Sequence, residues 1–234
     1  RFLNVTGVQT CALPILGIYG AASKIAMIMA MITQAFRYAY EPFVFGKAKD
    51  KDNRDTYAKA MKYFIIFTLL AFLVVVGYIN VFRHFIGRDY WEGLRVVPIV
   101  MAAEIMMGVY FNLSFWYKLV DKTIWGAYFS GIGCVVLIAI NVLFVPRYGY
   151  MACAWAGFAG YATAMVLSYI VGQRKYPIAY PLMSIGVYVG ITVLFYMGMN
   201  YANTHFSIPV ALAVNTVLVL LFIGHIWKWD LKRK

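Results

Sequence analysis

Seven long apolar stretches, separated by short polar segments, constrain the fold of this chain more than any other feature of its sequence. A bilayer hydrocarbon core about 30 Å thick is spanned by roughly 20 mostly apolar residues in an α-helix. The chain is 63% hydrophobic and 13% charged, whereas about a quarter of the residues of a soluble domain are charged. We therefore predict an all-α, polytopic transmembrane helix bundle with seven spans and no room for a soluble catalytic domain. The predicted helices cover about residues 17–45, 61–82, 94–117, 123–143, 151–171, 179–200 and 207–227.

The distribution of Lys and Arg between the two ends of the predicted helices gives the chain an orientation. One side carries fourteen basic residues, in the segments 47–62, 118–122, 174–175 and 228–234, and the other side carries four. Because cytoplasmic loops are enriched in Lys and Arg, we predict that the first span enters from outside and that the C-terminus is cytoplasmic. This topology also accounts for the net charge of +12 without a nucleic-acid partner, since no soluble aromatic-basic module accompanies the basic residues.

Residues 1–15 are a segment that we exclude from the fold prediction. The stretch from Val5 to Ile15 (VTGVQTCALPI) resembles the translation of a common short-read sequencing adapter, and scars of this kind carry no information on the fold. We therefore expect the native sequence to enter near Leu16, so that residues 16–234 form one transmembrane unit whose upstream part is missing. The alternative is a genuine short loop on the outer side of the membrane.

Ionisable side chains inside the predicted spans are the candidates for function, because each costs roughly 2.5–3.5 kcal/mol to insert. The first span contains Lys24, Gln34, Arg37 and Glu41, and the third contains Glu104. The spacing of Gln34, Arg37 and Glu41 puts them on one helix face, which should look into the bundle or a wet cavity. Lys24 and Glu104 lie at similar depths, about 10–15 Å from the outer ends of their spans by helical rise. We predict that these two side chains pair or jointly line an outward-facing cavity.

Two alternatives to a binding role stay open for the charges of the first span. Lys24 and Arg37 could extend along the helix so that their cationic groups reach the lipid headgroups. Glu41 could form an intrahelical pair with Arg37, one turn away.

The sequence lacks the residue patterns of a catalytic or metal site. It contains no paired loop carboxylates, phosphate-binding glycine loop, nucleophile–His arrangement or metal-ligand spacing. Its three cysteines form neither a disulfide framework nor a CxxC motif. We therefore predict no enzymatic activity, no metal and no cofactor.

Small and amide side chains predict where helices contact one another. The fifth predicted helix carries small residues at strict four-residue spacing, namely Ala152, Ala156, Gly160, Ala164 and Ser168. The sixth carries Gly186 and Gly190 as a GxxxG pair, which is typical of closely packed membrane helices. We also predict interhelical hydrogen bonds for Asn112, Asn141 and Asn215.

Three stretches of the chain resemble one family of transporters. They are GIYGAASKIAMIMAMITQAFRYAYEPFVF (17–45), YWEGLRVVPIVMAAEIMMGVYFNLSFWYKLVDKT (90–123) and VPRYGYMACAWAGFAGYATAMVLSYIVGQRKYPI (145–178). They are similar to the polysaccharide flippases of the multidrug/oligosaccharidyl-lipid/polysaccharide exporter superfamily, in the form found in bacterial capsule and O-antigen clusters. The resemblance covers nearly everything after residue 16.

This resemblance implies a fold and a function for the whole protein. Members of the family have about twelve to fourteen helices in two similar lobes, so the chain would be the C-terminal lobe of a two-lobed, MATE-like transporter. Such proteins translocate undecaprenyl-diphosphate-linked sugar repeat units across the bacterial inner membrane by alternating access. Carried over by position, Lys24 and Arg37 would engage the diphosphate, and a lobe without its N-terminal partner lobe is expected to be inactive. Gln34, Glu41 and Glu104 complete the set of expected substrate-binding residues.

Rival functions remain open on the sequence alone. A cation-coupled drug or small-molecule antiporter of the same superfamily needs intramembrane carboxylates, and Glu41 and Glu104 leave that possibility. A membrane-embedded glycosyl- or phosphotransferase would need acidic metal ligands or a catalytic loop, and neither is present. A purely structural membrane subunit would not need several charges on one span.

Overall fold

The helical bundle expected from the sequence is what the computed structural model shows over the residues it describes, 2–46 and 53–231. This part of the chain contains no strand, and seven of its helical segments are long and apolar enough to cross a membrane. The prediction of an all-α bundle with seven spans is confirmed. The α-helices are α1 (Phe2–Gly46), α2 (Asn53–Gly77), α3 (Ile79–Phe82), α4 (Val97–Leu113), α5 (Phe115–Leu119), α6 (Ile124–Tyr148), α7 (Tyr150–Lys175), α8 (Leu182–His205) and α9 (Ile208–Ile226).

The two ends of the chain bear on two of the predictions. Helix α1 is continuous, and its stretch Gly17–Val44 is long and apolar enough to cross a membrane. Helical conformation does not show whether residues 1–15 belong to the native protein. Their exclusion from the fold therefore stays a prediction. Residues 47–52 of the predicted basic loop and residues 232–234 of the basic tail lie outside the described residues.

Two spans begin differently from the prediction. Helix α2 starts at Asn53 rather than near residue 61, because charged residues can remain helical where a helix extends beyond the hydrocarbon. The third span has an initial 3₁₀ segment, Arg88–Val96, and its α-helix starts only at Val97. Pro98 lies in the first turn of α4, where a residue without an N–H leaves no helical hydrogen bond unmade.

The turn between α6 and α7 depends on a single glycine. Helix α6 runs beyond the predicted residue 143 and through Pro146 to Tyr148. A proline this close to a helix end removes only one hydrogen bond of the last turns. The chain then reverses at Gly149, whose φ of +56° is a conformation that glycine adopts without steric strain.

The helices form two groups that α2 and α4 join. Helix α7 packs extensively against α6 and α4, and α4 packs against α1, whereas α8 packs against α2 and α9. Contacts of α2 with α4 and α1 connect the groups. Helix α2 is the most enclosed span and α6 the least, since α6 packs mainly against α7. The exposed side of α6 therefore faces lipid or another protein.

The small-residue stripe of α7 is a packing seam, as predicted. Ala152, Ala156, Gly160, Ala164 and Ser168 are all buried. At the α6–α7 crossing, a Cβ built on Gly160 would lie 2.9 Å from the Gly133 carbonyl oxygen, and one built on Gly133 would lie 2.7 Å from the Gly160 oxygen. The two backbones are therefore in contact, which larger side chains would prevent.

The GxxxG pair of α8 is not used in this way. A Cβ on Gly186 or Gly190 would meet no described atom within 4 Å, and both glycines are exposed. The prediction that this pair marks a contact between helices of the chain is wrong, because the glycines face outward.

The three asparagines have different roles. Asn215 is fully buried on α9 and donates hydrogen bonds to the Gly77 carbonyl oxygen, at 2.7 Å, and to Asn203 Oδ1, at 2.9 Å. It thereby connects α9 to the end of α2 and to α8, as predicted. Asn112 and Asn141 instead donate to carbonyl groups of their own helices, so the prediction was wrong for them.

Replacing Gly160 with leucine tests the α6–α7 seam. We expect Gly160→Leu to lower the thermal midpoint of the purified protein in detergent, because overpacking of this kind costs about 1–3 kcal/mol. Gly186→Leu is the matched control and should change stability by no more than about 0.5 kcal/mol, since its site is open. Tryptophan fluorescence during heating measures both midpoints, and equal losses in the two variants would contradict the assigned seam.

Candidate functional site

The membrane-crossing part of α1 has a buried side and an exposed side. Its buried side includes Ala22, Ala26 and Met29 and packs against α4. The exposed side carries residues three or four positions apart, which places them on one helix face. These are Lys24, Met27, Met31, Gln34 and Tyr38. The structure therefore brings two of the predicted site residues, Lys24 and Gln34, to the same outward stripe.

Lys24 has no ion-pair partner among the described residues. The ion pairs found there join other groups, namely Arg37 with Glu41, Lys62 with Asp230, and Lys118 with Glu41. The predicted direct pair between Lys24 and Glu104 is therefore wrong. Lys24 is exposed on α1, whereas Glu104 is half-buried on α4.

Arg37 and Glu41 belong to a network at the end of α1. Lys118 Nζ on α5 donates to Glu41 Oε1 at 2.6 Å, and Arg37 Nε lies 3.5 Å from Glu41 Oε2. The guanidinium of Arg37 also lies over the Phe111 ring, 4.7 Å from its centroid. The intrahelical pair that the sequence left open is present. Gln34 is exposed while Arg37 and Glu41 are half-buried, so the three do not act as one polar face.

Glu104 faces the junction of three helices. Its carboxyl group lies near the phenol of Tyr19 on α1 and the phenol of Tyr161 on α7. It is half-buried and has no ion-pair partner within the described ranges. The described residues contain no group of three His, Cys, Asp or Glu side chains that could hold a metal ion.

An apolar cleft lies between α7 and α8, with α2 and α4 behind it. The helices α7 and α8 make almost no contact with each other, and the space between them has a volume of about 550 Å³. Its walls are nearly all apolar, with Ile65 on α2, Ile105 on α4, Met165 on α7 and Val189 on α8 among them. The sequence did not predict this cleft, because its lining residues are of the same types as residues that face lipid.

A second, polar cavity of about 370 Å³ lies beside the start of α8 and the end of α9, and Lys62 of α2 forms part of its wall. Lys62, Ser184, Tyr188, His225 and Asp230 supply its polar groups. In the sequence, Lys62 is recognisable only as one of the basic residues near the end of a predicted helix. The available signal was Asp230, an acidic residue at the end of the last span within a predominantly basic tail.

Comparison with known proteins matches the chain to no family model, no curated protein and no solved structure. The resemblance to the polysaccharide flippases therefore stays a prediction.

A double-mutant cycle tests the assigned ion pairs. For Glu41→Gln combined with Lys118→Met, we expect a coupling free energy of about 1 kcal/mol, because the two charges are in contact and partly shielded from water. The control cycle combines Lys24→Met with Glu104→Gln and should be additive within about 0.5 kcal/mol. Unfolding in SDS, followed by tryptophan fluorescence, measures each variant. Coupling in the control cycle would show that Lys24 and Glu104 do pair.

Proposed function

We propose that this chain is the C-terminal lobe of a flippase that moves undecaprenyl-diphosphate-linked sugar repeat units across the bacterial inner membrane. Its place would be in polysaccharide biosynthesis, in a pathway that makes capsule or lipopolysaccharide O-antigen. The proposal starts from the resemblance of residues 17–45, 90–123 and 145–178 to such transporters. The observation that carries it is Lys24, which is exposed on a membrane-crossing face of α1 and has no ion-pair partner among the residues that the structure describes.

The position of Lys24 makes it costly unless something compensates its charge. It lies within the membrane-crossing stretch Gly17–Val44, and the sequence predicts a depth of about 10 Å from the outer end of the span by helical rise. An ammonium group at that depth is favourable in a wet cavity or beside an anion. A diphosphate supplies several acceptor oxygens for charge-assisted hydrogen bonds. We therefore assign the face with Lys24 and Gln34 to the space between this lobe and an N-terminal lobe of the same protein.

Arg37 has a different part in this proposal. Its guanidinium is already engaged by Glu41 and the Phe111 ring, so it is less available to a substrate than Lys24. The network of Arg37, Glu41 and Lys118 fixes the end of α1 against α5, and we assign it the role of holding the Lys24 face in position.

The apolar cleft supports a lipid-linked substrate. An isoprenoid chain is stabilised there by van der Waals packing against the walls, and the space between α7 and α8 offers an almost wholly apolar surface. A sugar diphosphate without a lipid chain would not be stabilised by this apolar cleft.

One observation favours a second candidate, a cation-coupled antiporter. Glu104 is half-buried within a span and has no ion-pair partner in the part of the chain that the structure describes. Carboxyl groups in such positions are found in proton and ion relays. An antiporter would depend on Glu104 and would not need Lys24.

Activity of the full-length protein distinguishes the two candidates. We expect Lys24→Ala to reduce surface polysaccharide about tenfold or more, because a charge-assisted hydrogen bond is worth about 1.5–3 kcal/mol. Lys24→Arg should retain much of the activity. The matched control is Lys122→Ala, which removes an exposed lysine at a span end and should leave polysaccharide export unchanged.

The outcome for Glu104 completes the test. Glu104→Gln should preserve export if the protein is a flippase that does not use this carboxyl group for coupling. Full activity of Lys24→Ala would refute the proposed role of Lys24. Loss of surface polysaccharide only in Glu104→Gln would indicate a flippase that depends on this carboxyl group rather than on Lys24, whereas normal surface polysaccharide in cells that lack the protein would favour the antiporter.

A further inference from the structure

The polar cavity between α2, the start of α8 and the end of α9 is built around a pair of opposite charges. The ammonium group of Lys62 and the phenol of Tyr188 both donate to the carboxylate of Asp230. These contacts join three spans through residues far apart in sequence. Asp230 is thereby held in place by two donors, and it forms one wall of the cavity.

Three groups around this pair have hydrogen-bonding capacity that the described residues do not use. Lys62 has three donor hydrogens, and its ion pair with Asp230 leaves some of them available. The Ser184 hydroxyl and the ring nitrogens of His225 make no hydrogen bond within the described ranges. The His225 ring is held between Tyr188, at 5.4 Å between ring centroids, and Trp229, at 6.0 Å. Hydrogen-bond donors from α2, α8 and α9 therefore converge on the polar cavity.

Two of the three helices contribute to the cavity from the ends of their spans, near the depth expected for the lipid headgroups, whereas Lys62 lies eight residues inside its span, which begins at Arg54. Ser184 comes two residues after the start of its span, and Asp230 is the last residue of its own span. The exposed Trp229 beside it is of the type that anchors helices at a membrane interface. This end of the bundle is also the one that carries most of the basic residues.

An apolar surface continues from the cavity along α8 toward the middle of the membrane. Met183 is 86% exposed at the rim, and Val187 follows it one turn later on the same face. Next to them the open positions of Gly186 and Gly190 leave a flat strip with no atom above it. A molecule with a polar head in the cavity could lay a hydrocarbon chain along this strip.

We propose that this cavity binds the phosphodiester headgroup of a membrane phospholipid. Lys62, Ser184 and His225 would donate to the phosphate oxygens, and the acyl chains would lie against α8. Phosphate is the acceptor that suits several converging donors, one of them cationic. The proposal does not depend on the flippase assignment, because it uses none of the residues on the Lys24 face.

The test measures thermal stabilisation of the purified full-length protein in detergent by dioctanoyl phosphatidylglycerol. The phospholipid should raise the unfolding midpoint in a saturable way. Dioctanoylglycerol, which lacks the phosphate, and glycerol 3-phosphate, which lacks the chains, should not. Equal stabilisation by dioctanoylglycerol would overturn the proposal in favour of non-specific lipid contact, and equal stabilisation by glycerol 3-phosphate would overturn it in favour of a soluble anion.

Variants assign the effect to the cavity. We expect Lys62→Met to weaken phosphatidylglycerol binding about tenfold or more, since it removes a charge-assisted donor. Ser184→Ala and His225→Phe leave the Lys62–Asp230 pair intact and should each weaken binding several-fold at an unchanged basal midpoint. They keep the test decisive should Lys62→Met fail to fold. Lys122→Met, at the same end of the bundle, is the control and should bind as the wild type does. Wild-type binding by both Ser184→Ala and His225→Phe would contradict the assigned site.

Discussion

The hydrocarbon core of a bilayer offers no hydrogen-bonding partner, and the rest of this structure depends on that constraint. Every backbone N–H and C=O group in a span must be satisfied within the protein, so the apolar stretches become helices. Polar side chains in the spans are subject to the same demand. The amide nitrogen of Asn215 meets it by donating to a carbonyl of α2 and to an amide oxygen of α8, and Glu41 meets it with Lys118 and Arg37.

Lys24 stands out against this pattern. The other cations and anions of the described spans are mostly paired or lie close to a span end, whereas Lys24 lies about two turns inside its span by helical rise with its side chain exposed. Its face also carries Gln34 and Tyr38, which gives a mixed polar and apolar stripe, whereas the exposed side of α6 carries many large apolar side chains, such as Val135 and Ile138. The Lys24 side of α1 and the exposed side of α6 therefore suit different surroundings. We propose that the exposed side of α6 contacts lipid and that the Lys24 face borders a wet space beside a second lobe.

The sequence predicted features that depend on spacing along one helix. Span length and apolarity identified the seven helices, and four-residue periodicity identified the seam of α7. The separation of Arg37 and Glu41 by one turn made their pair one of the alternatives that the sequence left open. It did not predict contacts between residues remote in the chain, such as Glu41 with Lys118 or Lys62 with Asp230. Depth alone suggested a pair of Lys24 with Glu104, but depth does not determine rotation about the helix axis, and the two side chains point to different surroundings. The apolar cleft and the polar cavity could not be predicted for the same reason, because each is formed by three or four helices that are apart in the sequence.

Water accessibility of the Lys24 face is the most direct measurement of the central claim. In a cysteine-free version of the full-length protein, K24C and Q34C variants would be treated with a charged, membrane-impermeant thiol reagent, with I138C on the exposed side of α6 as the lipid-facing reference. The account predicts rapid modification of the K24C and Q34C variants and none of I138C, because the reagent reacts with the thiolate, which forms in water and not in hydrocarbon. Equal protection of all three positions would show that the Lys24 face lies in lipid, and would contradict the account.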